Sequence, residues 1–371
     1  MKTLSTLSEQ ERLVLVLRDL YQGHGCVRFP MRRFEEYALY LENKSFLTSE
    51  RVLSFTDGNG KLMALKPDVT LSIVKHARRG REGVEKLYYI ESVYRASPTD
   101  HEFKEIEQIG VVYLGNVDRY ATSEVMWLAL ESLRLCHRDY VLDMSHMGLT
   151  AGLMEDCGLD EETRREAFRL ISQKNVHELR TVLTGKGIPA EAVERFASLL
   201  TLSGTAEEML EKAAKLATGD ASRKAVGELT QLYSDLTALG MEGHVRLDFS
   251  IANDLDYYNG VVFRGYVEGA PRAVLSGGRY DHLMTKMGKD ADGFGFALYL
   301  DELNSLFTLP ARDEVDVLAH YAPEDDAAKV LAAVKELRDL GYRVLATSGE
   351  APEVYAYRHY RFDGERFVEV E

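Results

Sequence analysis

Apolar positions three and four apart open the chain. Leu13, Leu17, Leu20 and Tyr21 fall on one face of a helix predicted over residues 8–22. Ser8 and Glu11 are spaced as a capping box, and Gly23 can end the helix. A second helical pattern covers 34–43. The texture then changes to alternation. Residues 52–56 and 61–65 read as two strands about the turn Asp57-Gly58-Asn59-Gly60, and Pro67 stops the second. Asp68 and Thr70 open a helix running to about Arg79. Residues 86–95 and 105–114 form a long hairpin. Alternation puts Tyr89, Glu91, Val93 and Arg95 on one face, and Ile106, Gln108, Gly110 and Val112 on one face of its partner. A helix is predicted over 121–136 and a strand over 140–143.

Residues 147–240 are rich in Ala, Leu, Glu, Lys and Arg and read as six successive helices, a helical insertion in a β-rich domain. Strand texture returns at 245–252, 257–267 and 272–277, with Gly277-Gly278 ending the last. A helix is expected from Asp281, and Gly293–Leu298 is expected to lead into another over 298–307. Beyond the linker-like Pro310, Arg312 and Asp313, the tail reads strand, helix, strand and a hairpin at Asp363-Gly364. The expected organisation is a core domain of residues 1–312, with the insertion at about 147–240, and a short α/β module of residues 313–371.

Composition narrows the function. The 371 residues hold 45 Lys and Arg against 60 Asp and Glu, a net charge of -15. A protein gripping a nucleic-acid backbone needs a basic excess, at least locally, so nucleic acid is not an expected partner. The three cysteines, Cys26, Cys136 and Cys157, have neither zinc-ribbon nor disulfide spacing. The first residues lack the pattern of a secretory leader, and the apolar run Leu13–Leu17 is too short for a bilayer. A cytoplasmic location away from membranes is expected. No phosphate-binding loop, nucleophile elbow or paired-histidine metal motif is present, so no cofactor and no metal is expected.

The remaining candidates sit on the predicted sheet. A guanidinium at Arg95 can hold a carboxylate, Asp68 can receive an ammonium, and glycines at 277 and 278 allow close approach of a ligand. Together they suit a zwitterion such as an amino acid. The same residues also describe a polar sheet face open to water.

Four ordered segments carry a family resemblance over about residues 5–308. Leu87–Arg95 followed by Glu105–Gly110 resembles the second signature motif of class II aminoacyl-tRNA synthetases in its histidyl form. Phe55–Asp57 through Leu65–Thr70, Leu255–Phe263 and Ser276–Asp281 resemble further histidyl-tRNA synthetase segments. The resemblance implies an α+β fold: a class II antiparallel sheet flanked by helices, associating at least as a homodimer. It places Asp68, Thr70 and Gln108 at the ligand's α-amino end and Arg95 near its carboxylate. Tyr258, with Tyr257 beside it, falls at the imidazole, and Gly277 and Gly278 below the ligand.

The departures from that family point elsewhere. Glu102 and Glu302 stand where synthetases keep arginines for ATP, and Asn253 replaces a third arginine. Adenylation needs positioned cations around a polyphosphate. Val112 stands where the family carries an imidazole-recognising Glu, and valine accepts no hydrogen bond. The combination resembles the synthetase-like regulatory subunits of short-form ATP phosphoribosyltransferase, which are not themselves catalytic. That resemblance implies histidine biosynthesis, a short catalytic subunit as partner, and a vestigial amino-acid pocket for which histidine is a possible ligand. Two other readings stay open, a stand-alone amino-acid-binding paralogue and an active histidyl-tRNA synthetase.

Overall fold

In the computed structural model, residues 7–44, 47, 52–77, 83–96, 102–251, 258–304, 306–307, 313–349 and 354–370 are described. The chain divides into two compact units, Met1–Leu306 and Phe307–Glu371.

The first unit begins with α1 (Glu9–Gly23), where Ser8 and Glu11 form the expected capping box. β1 (Val27–Arg28), β2 (Phe34–Glu36) and α2 (Tyr37–Glu42) follow, so the helix expected over 34–43 is a strand in its first turn. Phe34, Glu35 and Glu36 pair with Leu65, Ala64 and Met63, and this ladder overrides local helical preference. Next come β3 (Ser54–Thr56), β4 (Leu62–Leu65), α3 (Val69–His76), β5 (Val84–Ala96) and β6 (Phe103–Gly115). α4 (Arg119–Cys136) and β7 (Tyr140–His146) lead into the insertion, six helices in all: α5 (Met147–Asp156), α6 (Glu161–Ser172), α7 (Val176–Gly185), α8 (Ala190–Leu200), α9 (Ala206–Leu216) and α10 (Asp220–Ala238). β8 (Val245–Leu247), β9 (Val261–Val267), β10 (Leu275–Arg279), α11 (Asp281–Lys286) and β11 (Asp292–Tyr299) complete the unit. The helix expected over 298–307 is not formed. Its start belongs to β11, which pairs on both sides, and only a single 3-10 turn, Asp301–Leu303, follows.

The main sheet has the order β1-β5-β6-β11-β10-β9-β7-β8. It is antiparallel except for the pairs β1·β5 and β7·β8. One face is covered by α1 and α4. There Tyr21 is fully buried, its hydroxyl 2.9 Å from the Ser132 hydroxyl, and its ring meets Phe296 edge-on. Gly265 belongs to this face; a Cβ there would stand 2.7 Å from Leu133, so glycine lets α4 lie close on β9. The opposite face carries a second core in which Leu87, Tyr89, Val93, Val112 and Leu114 pack under α2, α3 and α11. The insertion is fastened to β7 through His146, whose Nδ1 accepts the Gly148 amide at 3.0 Å while Nε2 donates to Glu228 of α10 at 2.9 Å.

The second unit holds β12 (Asp313–His320), α12 (Ala327–Asp339), β13 (Val344–Thr347), β14 (Val354–Phe362) and β15 (Phe367–Val370), ordered β13-β12-β14-β15. Val317, Ala319, Leu337, Phe362 and Phe367 form its core. No described helix is long and apolar enough to cross a membrane.

Candidate amino-acid site

The second face of the main sheet is hollow at its centre. Sheet register makes the reason explicit. Across neighbouring strands, Arg264, Ser276, Ala297, Gly110 and Tyr89 lie in one row, and Gly278, Gly295 and Val112 in the next. Small residues occupy the middle of both rows, and larger ones stand at the ends. The result is a cavity of about 250 Å³ lined by Asp68, Thr70, Arg95, Gln108, Val112 and Tyr258, together with Tyr89, Arg264, Ser276, Tyr280 and Tyr299. That is just below the usual size of a small-molecule site, about 300 Å³ and upward.

Asp68 is placed by α3. Its extended backbone makes it the N-cap, and its Oδ1 accepts the Leu71 amide at 2.9 Å. Its other oxygen lies 3.7 Å from an Arg95 guanidinium nitrogen, and Arg95 Nε donates to the Pro67 carbonyl at 2.8 Å. Burial pushes the Asp68 carboxyl above the ordinary range, against the pull of Arg95 and of the Leu71 and Thr70 amides. Gln108 is only 2% exposed, and its side-chain amide has no hydrogen-bond partner among the described residues. A buried amide without partners is costly, so one lining a cavity marks a place for a polar ligand. Burial also raises the hydroxyls of Tyr89, Tyr258 and Tyr280, which stay protonated. The Ser276 and Tyr299 hydroxyls pair at 2.6 Å.

The cavity therefore brings together Asp68, Thr70, Arg95, Gln108 and Tyr258. Gly278 lies beneath Tyr258, a Cβ there falling 2.5 Å from the ring. Gly277 does not take part. It sits within β10, not at its end, and alternation turns it to the other face, where a Cβ would meet Phe263. Tyr257 and Asn253 lie outside the described residues. Arg264, Ser276, Tyr280, Tyr299 and Tyr89 are site residues that sequence reasoning left out. The available signal was alternation: Arg264 follows Tyr258 by an even interval along the strand predicted there.

We expect Gly278→Ala to force the Tyr258 ring into the cavity. Ligand affinity, read by calorimetric titration, should fall by about tenfold or more.

Carboxylates stand on the segments that flank β6 and β11. Glu302 lies on the 3-10 turn with its carboxylate 4.0 Å from Arg272, and Glu102 is exposed just before β6. Asp301 accepts the Glu107 amide at 2.6 Å. Burial, then the Asp301 charge, push the Glu107 carboxyl upward; it lies on the α1 face of the sheet, where Gln10 donates to it at 2.7 Å.

Residues 5–303 match the histidyl-tRNA synthetase family model. An ATP phosphoribosyltransferase regulatory subunit from Desulforamulus reducens is 31% identical over 328 residues, covering 85% of this chain and 81% of that protein. Another from Geobacter metallireducens is 33% identical over 304 residues, covering 79% and 69%. The chain belongs to the ATP phosphoribosyltransferase regulatory subunit family. Solved structures agree on the fold. A regulatory subunit/histidyl-tRNA synthetase from Bacillus halodurans superposes with a TM-score of 0.78 at 23% identity, over 94% of this chain and 92% of that one. A chain of an ATP phosphoribosyl transferase complex from Thermotoga maritima gives 0.62 at 18% identity, over 78% and 96%. This is a synthetase-like regulatory subunit rather than a synthetase.

Proposed function

We propose that this chain assembles in the cytoplasm with the short catalytic subunit of ATP phosphoribosyltransferase, as a dimer or larger assembly, and that its cavity holds a free α-amino acid as a regulatory signal. The buried, unpartnered amide of Gln108 carries the second half of this reading. With Asp68 and Thr70 it offers acceptors for an ammonium. Val112, Tyr258 and Tyr280 form the apolar-aromatic end that meets the ligand's side chain. Histidine fits this end as the neutral imidazole, with a tyrosine hydroxyl as its polar contact.

Two measurements test the reading. Adding this chain to the short catalytic subunit should raise phosphoribosyl transfer to ATP; equal rates with and without it would sink the partnership. Titration with the twenty amino acids should give one that binds and alters that rate. Its binding should weaken as pH falls, because a protonated Asp68 no longer attracts an ammonium. That loss begins above the ordinary carboxylate range, since burial raises the Asp68 carboxyl.

A further inference from the structure

Tyr89 does more in this cavity than fill space. It stands on β5 directly opposite Gly110 of β6, on the face of the sheet that bears the cavity. A Cβ at Gly110 would lie 2.5 Å from the Tyr89 hydroxyl oxygen and 2.6 Å from Cζ. The tip of the ring therefore lies across β6, where only glycine leaves it room. Beyond that tip, in the same row, come Ala297 of β11 and Ser276 of β10. The ring belongs to the core cluster of Leu87, Val93 and Val112, so it is held from behind while the hydroxyl is carried to the cavity floor.

The packing of the ring is complete, but the hydroxyl is left over. Tyr89 is 3% exposed and lines the cavity, and its O–H has no hydrogen-bond partner among the described residues. Burial keeps it protonated, so at neutral pH it is a donor without an acceptor. Gln108, two residues before Gly110 on the same face of β6, is likewise buried with its side-chain amide unpartnered among the described residues. Unpartnered buried polar groups cost stability, and two of them side by side in one cavity are accounted for by a ligand that completes both.

The ligand's group follows from the chemistry. An ionised Asp68 offers only acceptors and so faces the ammonium. The Tyr89 hydroxyl lacks an acceptor, and the acceptor that every free α-amino acid carries is its carboxylate, on the same carbon as the ammonium. Tyr89 stands near enough to Asp68 to feel its charge, as two groups serving one carbon must. We propose that the Tyr89 hydroxyl is a binding group of this cavity, donating a hydrogen bond to the carboxylate of its amino-acid ligand, with Gly110 as the residue that positions it. This rests on the reading that the cavity takes an amino acid. Part of the recognition of the carboxylate then falls to a neutral donor fixed on the sheet.

Tyr89→Phe in the full chain tests this, because it removes the oxygen and keeps the ring over Gly110. Calorimetric titration uses the amino acid that wild type binds most tightly. The variant's affinity should be lower by about tenfold or more, the loss expected for a hydrogen bond to a charged group. Thermal unfolding of the ligand-free variant should give a midpoint equal to or above that of wild type, because no bond within the protein is lost and a lone hydroxyl is no longer buried. A hydroxyl that served the fold would lower the midpoint when removed. A smaller loss of affinity overturns the assignment, and so does a midpoint clearly below wild type. If wild type binds none of the twenty amino acids, the reading of the cavity itself falls. A Tyr89→Phe chain that binds the ligand as wild type does leaves that reading standing and removes only the part given to Tyr89.

Discussion

Histidine-dependent exchange of pyrophosphate into ATP by this chain is expected to lie below detection, at saturating histidine and ATP. The expectation follows from charge. Adenylation drives a carboxylate against a polyphosphate, and positioned cations stabilise the charge that develops. Removing one such group costs about 3–4 kcal/mol, a factor of about 10² to 10³ in rate. The family resemblance puts two of those positions at Glu102 and Glu302 and a third at Asn253. Losing two cations alone implies a fall of about 10⁴ to 10⁶ if the effects add. Carboxylates at two of them add repulsion. The measurement is radiolabelled pyrophosphate exchange with an active histidyl-tRNA synthetase as control. Exchange within a hundredfold of the control would contradict this account of the site.

The second large effect concerns stability. Lys66 is fully buried, and its ammonium is 2.8 Å from Glu91, whose other oxygen accepts the Met31 amide at 3.3 Å. Removing one member of such a pair leaves a charge with no partner in a low dielectric. Glu91→Leu should therefore lower the unfolding free energy by about 3–5 kcal/mol. Replacing both residues, Lys66→Met with Glu91→Leu, should recover most of the loss. Urea unfolding at neutral pH reads both outcomes. A Glu91→Leu chain as stable as the double variant at neutral pH would show that the pair does not act this way.

Much of this architecture was legible in the sequence because local signals agreed with the tertiary result. The long hairpin β5–β6 alternates cleanly, so Arg95 and Gln108 could be put on one face without coordinates. The insertion helices follow helical periodicity, and Ser8 with Glu11 announces the first helix. The failures share one cause, which is long-range pairing. Residues 34–36 and 298–299 lie in sequence contexts that suit a helix, yet ladders with distant strands claim them. The cavity lining was legible where Asp68, Thr70, Gln108 and Arg95 lie in two recognisable segments. It was not legible on β9 and β10. Which glycine of Gly277-Gly278 faces the ligand depends on register, and register was unknown. Arg264 was missed although its even interval from Tyr258 pointed to the same face, because the row across the sheet that brings it to the cavity was unknown.

Asp68 begins α3 and also lines the cavity. A substitution there removes a helix cap and a cavity carboxylate together. Val112 has a second duty as well, since it is packed in the core on that face of the sheet. The wall of the cavity and the interior of the fold are built from the same side chains, so any change in what the cavity recognises has to pass through sequences that still fold.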